Sequence, residues 1–165
     1  MTHATAFQVE PLPAVSFGAV VTGLRISTIA ERDFAELYRT WLEYALLIFP
    51  DQHLTRDEQI AFAKRFGALE FEFAPISNIR ADGSVRADDN ADGVIKVLKG
   101  NMGWHCDSTY MPVQAKGAVF SAEVVPSEGG ETGWADMCAA YDALSRFAKA
   151  PFRCSLFSWA AYRVS

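Results

Sequence analysis

The stretch Asn101-Met-Gly-Trp-His105-Cys-Asp107-Ser-Thr-Tyr110 sets an imidazole and a carboxylate two residues apart. In an extended chain, side chains at positions i and i+2 leave the same face, with their Cα atoms about 7 Å apart. His105 and Asp107 can therefore reach one metal ion in adjacent coordination positions. A neutral imidazole beside a carboxylate suits iron(II), and a set of two histidines and one carboxylate leaves positions open for other ligands. The stretch predicts two ligands of such a site and lacks a second histidine.

The same tripeptide has a plainer interpretation, because His-x-Asp arises by chance and a single histidine beside Trp104 is commonly packed or hydrogen-bonded. Cys106 points to the opposite face of a strand, and we interpret it as a small packing residue rather than a ligand. Trp104 and Tyr110 fit the wall of a pocket as well as they fit a core, since aromatic side chains dominate buried area. The choice between these interpretations depends on the rest of the chain.

The composition describes an ordinary globular protein. The chain has 165 residues, of which 50% are hydrophobic, which is enough for one domain with a sizeable core. Its net charge of -5, with no concentrated basic segment, argues against nucleic acid as a partner. Three cysteines without close pairing predict a reducing cytoplasm rather than a disulfide framework. No stretch approaches the roughly 20 apolar residues that span a bilayer, and the N-terminus lacks a signal pattern, so we expect a soluble, unprocessed protein.

The N-terminal third predicts strands around one amphipathic helix. Residues 7–22 contain two short β-prone segments separated by proline and glycine, which predicts two strands and their turns. Apolar residues then recur at helical spacing through residues 34–45, which predicts a helix begun by Ser27 or Thr28. Residues 45–49 are apolar throughout and predict a buried strand.

A second helix is predicted by a capping pattern. Thr55 followed by Glu58 matches a capping box, apolar residues supply one face of the helix, and Gly67 ends it. Near the C-terminus, Asp136 is placed to cap a short helix that runs to Leu144.

The middle of the chain predicts a loop followed by strands. Residues 75–93 carry few apolar side chains, which predicts a mobile loop and a candidate lid over substrate. Strands are predicted at residues 94–98 and 115–125. Four acidic residues of the loop match no EF-hand spacing, and we interpret them as a solvated face rather than a calcium site: Asp82, Asp88, Asp89 and Asp92.

Four segments, in order, give the metal pair its context. They are Phe17-Gly-Ala-Val-Val-Thr-Gly23; Leu46-Leu-Ile-Phe-Pro-Asp-Gln52 with Leu54-Thr-Arg-Asp-Glu-Gln; Trp-His105-Cys-Asp107-Ser; and Pro126-Ser-Glu-Gly-Gly-Glu-Thr132-Gly-Trp-Ala-Asp-Met with Ala140-Tyr-Asp-Ala-Leu144. With these segments the chain resembles the taurine dioxygenase and 2,4-dichlorophenoxyacetate dioxygenase family (TauD/TfdA) over residues 7–144. Thr132 lies 27 positions after His105, close to the spacing of the family pattern.

The resemblance implies an iron(II)/2-oxoglutarate-dependent dioxygenase. His105 and Asp107 would be the first two ligands of the metal, and Thr132 would donate a hydrogen bond to a carboxylate of 2-oxoglutarate. Asn101 would lie near substrate or co-substrate. The implied fold is α+β and mainly β, a double-stranded β-helix or jelly roll with helices packed outside it, incomplete at the C-terminus of this chain.

The resemblance also implies the reaction. 2-Oxoglutarate and O2 are the co-substrates, and the enzyme hydroxylates a small organic acid, of the sulfonate or aryloxyalkanoate type, with release of succinate and CO2. The protein contributes positioning and electrostatics, while the metal supplies the difficult step.

The family pattern has two elements that this chain does not supply. It requires a distal histidine and, about ten residues beyond it, an arginine that pairs with the far carboxylate of 2-oxoglutarate. No histidine follows His105, and residues 146–165 do not resemble the family, which predicts a truncated chain. Arg146, Arg153 and Arg163 lie outside the family's arginine context, so we do not carry the role onto them.

Three hypotheses therefore stand. In the first, the chain belongs to a dioxygenase and has weak or absent turnover alone. In the second, it is an inactive truncated homologue that acts as a weak metal-binding or interaction domain, and the unpaired strand edges of an incomplete barrel favour a homo-oligomer. In the third, a zinc hydrolase, His3 would have to complete the site. We assign His53 a structural role.

Overall fold

The computed structural model describes residues 7–149 and the backbone of residues 160–164. The chain divides into two compact units. Unit 1 comprises Met1–Glu72 with Gly117–Glu123, and unit 2 comprises Phe73–Lys116 with Val124–Ser165. A single domain over the whole chain stays a prediction.

A three-stranded sheet forms one part of unit 1. Its strands are β1 (Gln8–Pro11), β2 (Ala19–Thr22) and β3 (Leu47–Ile48), in the order β1-β2-β3, with β1 antiparallel and β3 parallel to β2. The turn between β1 and β2 closes where the Leu12 N–H donates to the Gly18 carbonyl over 2.9 Å. Gly18 has a φ of +92°, a backbone conformation that favours glycine, so the turn requires glycine at this position. The two predicted N-terminal strands are confirmed.

Helix α1 (Glu31–Tyr44) buries Phe34, Leu37 and Thr40 along one side, which confirms the amphipathic helix. The predicted start at Ser27 or Thr28 is wrong, because Ile26–Thr28 forms a separate 3-10 turn and α1 begins after Ala30. The turn is fixed from outside, since the Ile26 N–H donates to Gln52 Oε1 over 2.9 Å.

The end of α1 shortens the next strand. Ala45 has a φ of 60°, and its N–H donates to the Trp41 carbonyl. Strand β3 therefore covers two residues of the predicted 45–49 segment, and its side chains are partly exposed rather than buried.

Helix α2 (Arg56–Lys64) confirms the capping box. The Thr55 hydroxyl accepts a hydrogen bond from the Glu58 N–H at 3.3 Å, and the Glu58 carboxylate accepts one from the Thr55 N–H at 2.8 Å. The Glu58 carboxylate accepts hydrogen bonds from both the N–H and the hydroxyl of Thr55, and these two bonds hold the pKa of Glu58 below its usual value. Gly67, with a φ of +145°, follows the helix where the sequence predicts its end.

An aromatic cluster joins α1 and α2 to the sheet. The buried residues of this core are Phe7, Val21, Ile26, Phe34, Leu37 and Phe62. Phe66 packs edge-on against Phe34, with ring centroids 5.0 Å apart. Such offset and edge contacts add to the hydrophobic free energy of burial.

The strand predicted at residues 115–125 is wrong. These residues form no strand, and the segment contributes to unit 1 in another way. Val119 packs against the core, and its carbonyl accepts a hydrogen bond from the Gln59 side chain at 2.9 Å. The Val119 carbonyl thus receives its hydrogen bond from a side chain of α2 and not from the backbone of a neighbouring strand.

Unit 2 begins with a hairpin in the segment that was predicted to be a loop. Ile79 and Val85 form an antiparallel bridge, and the Arg80 N–H donates to the Ser84 carbonyl over 2.8 Å. The Arg86 N–H donates to the Asn78 carbonyl over 2.8 Å. The segment is therefore more ordered in hydrogen bonding than predicted, while its mobility and its role as a lid stay predictions.

Helix α3 (Gly93–Gly100) occupies residues that were predicted to form a strand at 94–98. That prediction is wrong because Asp92 caps a helix here. Its carboxylate accepts hydrogen bonds from the Val94 and Ile95 N–H groups, at 2.9 and 3.4 Å. The first backbone N–H groups of a helix have no acceptor within the helix, and an N-cap side chain supplies one. Here this contribution outweighs the β preference of a short run that contains valine and isoleucine.

The rest of unit 2 contains a two-stranded sheet and two short helices. Strand β4 (Thr132–Asp136) pairs antiparallel with β5 (Ala160–Val164), and α4 (Met137–Ala143) and α5 (Arg146–Lys149) follow β4. Asp136 caps α4 by accepting from the Ala139 N–H at 2.9 Å, which confirms that prediction.

The structure is a mixture of helix and sheet, as predicted. Within the described residues, however, helices account for more of the chain than strands do, so the mainly β character is not met there. The jelly roll stays a prediction. Over the same residues, no helix has the length and apolar character needed to cross a membrane.

Candidate metal centre

His105 and Asp107 lie side by side in unit 2. The distance from His105 Nε2 to Asp107 Oδ1 is 3.5 Å, and the two side chains are 27% and 51% exposed. His105 lies in an isolated β-bridge, and Asp107 begins the turn that follows it. The spacing predicted that these two side chains would converge, and they do. Their role as metal ligands stays a prediction.

The backbone two residues earlier orients the imidazole. His105 Nδ1 lies 2.8 Å from the Gly103 carbonyl oxygen, which can only accept a hydrogen bond. Nδ1 therefore carries the proton in the neutral ring, and Nε2 carries the lone pair. Nε2 is also the atom that faces the Asp107 carboxylate. Proteins orient metal-binding histidines in this way, with the second ring nitrogen donating to a carbonyl or carboxylate.

A turn after the pair fixes the backbone of Asp107. Ser108 has a φ of 58° and is buried, with 4% of its surface exposed. Its carbonyl accepts from the Met111 N–H at 3.0 Å, and the Gln114 side chain donates to the Asp107 carbonyl over 3.1 Å. Gly103, Ser108 and Gln114 were not predicted from the sequence as residues that support the pair. The turn-forming Ser-Thr pair after Asp107 was the one local signal for this arrangement.

Cys106 lies between the two residues and is partly buried. Burial, and secondarily the charge of Asp107, raise the pKa of the Cys106 thiol. A partly buried thiol behaves as a small apolar packing residue. This agrees with its interpretation as a packing residue.

The aromatic neighbours are exposed. Trp104 is 56% exposed and Tyr110 is 78% exposed, so their interpretation as core residues is wrong. Their interpretation as a pocket wall stays a prediction.

The other two predicted site residues lie at the ends of elements. Asn101 is exposed and follows α3, where its N–H donates to the Val97 and Leu98 carbonyls. Thr132 is exposed and is the first residue of β4, paired with Val164. Their contacts with substrate and 2-oxoglutarate stay predictions.

The remaining histidines are His53 and His3. His53 is exposed and lies 4.0 Å from Asp51 in unit 1, and His3 lies outside the described residues. Across residues 7–149, no group of three or more His, Cys, Asp or Glu side chains could hold a metal ion. The acidic residues of the hairpin segment have partners within the protein; Asp82, for example, accepts from the Ser84 N–H and hydroxyl.

The two donors fit a divalent metal as adjacent ligands. Two atoms that each lie about 2.0–2.2 Å from one ion are separated by roughly 3 Å or slightly more when they are neighbours in its coordination shell. The 3.5 Å between His105 Nε2 and Asp107 Oδ1 is compatible with that arrangement. A neutral imidazole and a carboxylate are the donor types that iron(II) takes in dioxygenases. The pair can anchor a metal and cannot complete its protein shell alone.

Comparisons with known proteins identify the family of the chain. The family model described as taurine catabolism dioxygenase TauD, TfdA family, matches residues 8–161, and so extends past residue 145, where we expected the resemblance to end. An (S)-phenoxypropionate/alpha-ketoglutarate-dioxygenase from Sphingobium herbicidovorans is 66% identical over 145 residues, covering 88% of this chain and 50% of the relative. A protein of the same name from Delftia acidovorans is 55% identical over 152 residues, covering 88% of this chain and 52% of the relative.

A solved structure is also similar. The crystal structure of AAD-2 in complex with Mn(II) and N-oxalylglycine aligns with a TM-score of 0.82 at 36% identity, over 88% of this chain and 52% of that chain. The chain thus spans about half the length of the proteins that it matches.

Proposed function

Because the chain belongs to the taurine catabolism dioxygenase TauD, TfdA family, we propose that it carries two of the three metal ligands of an iron(II)/2-oxoglutarate-dependent dioxygenase. His105 and Asp107 are those ligands. The observation that carries the proposal is the 3.5 Å separation of His105 Nε2 and Asp107 Oδ1, with the ring oriented by Gly103. When Nδ1 of an imidazole donates a hydrogen bond to a carbonyl, Nε2 is the nitrogen that presents its lone pair to a metal.

The proposed substrate is a small organic acid of the aryloxyalkanoate class. Two relatives that are 66% and 55% identical act, by name, on (S)-phenoxypropionate. Sulfonates are the second class, because the family is described by taurine catabolism. In either case 2-oxoglutarate and O2 are consumed, succinate and CO2 are released, and the substrate is hydroxylated.

Each residue has a defined part in this proposal. His105 presents the Nε2 lone pair, and Asp107 supplies a negative charge that partly neutralises the metal. Thr132 donates its hydroxyl hydrogen bond to a carboxylate of 2-oxoglutarate, and Asn101 lies at the substrate side. The metal, when bound, supplies the site at which 2-oxoglutarate and oxygen meet. The half-buried setting of His105 limits the water around the pair and strengthens its electrostatic interaction with a cation.

A second function, from a different class, is favoured by the number of donors. The described residues bring two ligands together rather than three, which suits a weak metal-binding domain without turnover.

We expect the 165-residue chain alone to form no substantial succinate with iron(II), 2-oxoglutarate and a panel of phenoxypropionates and sulfonates. Robust succinate formation that disappears in Asp107→Ala would contradict this expectation and show that a third ligand is supplied in another way.

Metal binding tests the proposal directly. Mn(II) added to the full chain is followed by electron paramagnetic resonance, in which free Mn(II) gives a strong signal that weakens on binding. We expect a weak site that is lost in Asp107→Asn, because the amide is a poorer ligand and does not neutralise the cation. Asp82→Asn, which changes an exposed carboxylate of the same unit, is the matched control. Equal Mn(II) binding by wild type and Asp107→Asn would sink the proposal.

A further inference from the structure

The acidic segment that precedes α3 holds both ends of that helix. At the N-terminal end, Asp92 Oδ1 accepts from the Val94 and Ile95 N–H groups. At the C-terminal end, Lys99 Nζ donates to Asn90 Oδ1 over 2.8 Å and forms an ion pair with Asp88. The helix is therefore fixed by the five residues before it.

Asp92 also connects the helix to the hairpin. Arg86 Nη1 donates to Asp92 Oδ2 over 2.8 Å, and Arg80 Nη2 lies 3.9 Å from the same oxygen. Both partners are largely covered, since 24% of the Arg86 side chain and 19% of the Asp92 side chain is exposed. One carboxylate thus joins two positions of the hairpin to the first turn of α3.

The end of α3 leads without a break to the imidazole. The Asn101 N–H donates to the Val97 carbonyl, and the Met102 N–H donates to the Lys99 carbonyl over 3.2 Å. The next residue is Gly103, whose carbonyl accepts from His105 Nδ1. The position of the last turn of α3 therefore sets the position of the carbonyl that selects the histidine tautomer.

We propose that Asp92 and Lys99 are positioning residues that, by clamping the two ends of α3, hold the Gly103 carbonyl against His105 and so keep Nε2 directed at the metal. This inference rests on the proposed function of His105 as a ligand. Neither residue touches the metal pair; each acts through α3. The clamp depends on charge, because the Asp92 carboxylate forms an ion pair with Arg86 over 2.8 Å, and this contact also holds the pKa of Asp92 below its usual value.

Two variants weaken the clamp with little change in shape. Asp92→Asn keeps an N-cap residue of equal quality but removes the negative charge that Arg86 and Arg80 pair with. Lys99→Met keeps an apolar stem in the last turn and removes the ammonium. Matched controls are Lys96→Met, an exposed lysine of the same helix, and Asp82→Asn, whose carboxylate bonds within its own turn. Lys99→Arg, which keeps the cation, should rescue.

The test is the tautomer of His105, read from the ring nitrogen chemical shifts of the nitrogen-15 labelled full chain. His105→Asn identifies the signal. We expect the Nδ1-protonated form in wild type, Lys99→Arg and both controls, and a mixture of tautomers in Asp92→Asn and Lys99→Met. A purely structural role would lower the melting temperature without moving the tautomer. Wild-type ring signals in both Asp92→Asn and Lys99→Met overturn the proposal.

Mn(II) binding separates this inference from the proposed function. In Asp92→Asn and Lys99→Met we expect affinity to fall by about 2- to 30-fold, the usual range for residues that act on a site through a structural element. If wild type binds no Mn(II), the proposed function fails, while the ring signals still decide whether the clamp exists. If wild type binds Mn(II) and both variants bind it equally well, the clamp fails and the proposed function stands.

Discussion

Two histidine–aspartate pairs with the same spacing occur in the chain, and they differ in how they are supported. Asp51 and His53 are 92% and 86% exposed, with 4.0 Å between carboxylate and ring. His105 and Asp107 are 27% and 51% exposed, with 3.5 Å between them. Residues 51 and 53 both have positive φ, at 53° and 45°, so the first pair sits on a strained turn.

The difference between the pairs lies in their neighbours. At the first pair, Gln52 points between the two residues into the protein, where it accepts from the Ile26 N–H and donates to the Leu24 and Pro50 carbonyls. The intervening residue holds the turn, and the histidine is left at the surface. At the second pair, the Gly103 carbonyl holds the histidine itself. The two pairs therefore share their spacing and differ in whether the ring is oriented by a neighbouring group.

The largest expected effect is on metal binding. His105→Asn should abolish detectable Mn(II) binding, because it removes one of the two proposed ligands, whereas His53→Asn should leave binding unchanged. Titration of each variant with Mn(II), followed by electron paramagnetic resonance, makes the comparison. Loss of binding in His53→Asn would show that the exposed pair is the metal site.

The next effect is on stability at the exposed pair. Gln52→Ala leaves a partly buried backbone donor at Ile26 without its acceptor and removes two further hydrogen bonds. Each unsatisfied buried group costs about 1–3 kcal/mol, so urea unfolding should show a loss of about that size. Mn(II) binding should stay at the wild-type level. Unchanged stability would mean that the turn does not depend on Gln52.

A smaller loss of stability, together with weaker Mn(II) binding, is expected when the glutamine beside the second pair is replaced. Gln114→Ala removes one hydrogen bond, to the Asp107 carbonyl, and should cost about 0.5–1.5 kcal/mol or less because the bond is exposed. It should nevertheless weaken Mn(II) binding severalfold, since it loosens the backbone of a ligand. Measuring both quantities on both glutamine variants separates support of the fold from support of the site.

The smallest effects are expected in acid. Glu58, which follows the exposed pair, and Asp92, which precedes α3, both have a pKa lowered by hydrogen bonds made in the folded state. Each stabilises the fold above the pKa of the unfolded chain, and that contribution is lost as pH falls through the lowered folded pKa. Glu58→Gln and Asp92→Asn should therefore flatten the acid side of the stability profile, measured by urea unfolding between neutral pH and pH about 3. A profile with wild-type slope would rule out the contribution.

Local signals in the sequence predicted the parts of the fold that local contacts hold. The capping box of Thr55 and Glu58, the stop at Gly67 and the cap at Asp136 each depend on residues within a few positions. Ser27 and Thr28 failed as caps because Gln52, far along the chain, binds the turn that contains them. The strand predicted at residues 94–98 was wrong for two reasons. A short apolar run does not show whether its period is that of a helix or a strand. Asp92 was also interpreted as a solvated residue, whereas it caps the helix.

At the candidate site, too, the sequence predicted what depends on residues close together in the chain, namely the approach of His105 to Asp107. Spacing predicted that His105 and Asp107 would converge, because period-two alternation is a local property. The group that orients the ring is a backbone carbonyl, at Gly103, and every residue has one, so no residue type indicated it. Asn101 and Thr132 were assigned by resemblance, and their roles depend on groups beyond the described residues.

The segment Gly117–Glu123 affects the order in which unit 1 can be completed during synthesis. It supplies Val119 and its contact with Gln59 to a unit whose other residues end at Glu72. During synthesis, unit 1 is therefore incomplete until the chain has been made through residue 123, beyond the first segment of unit 2, a delay on the order of seconds at common elongation rates. The hairpin, α3 and the metal pair all emerge in that interval. Until then, the part of the core against which Val119 packs stays uncovered in the nascent chain.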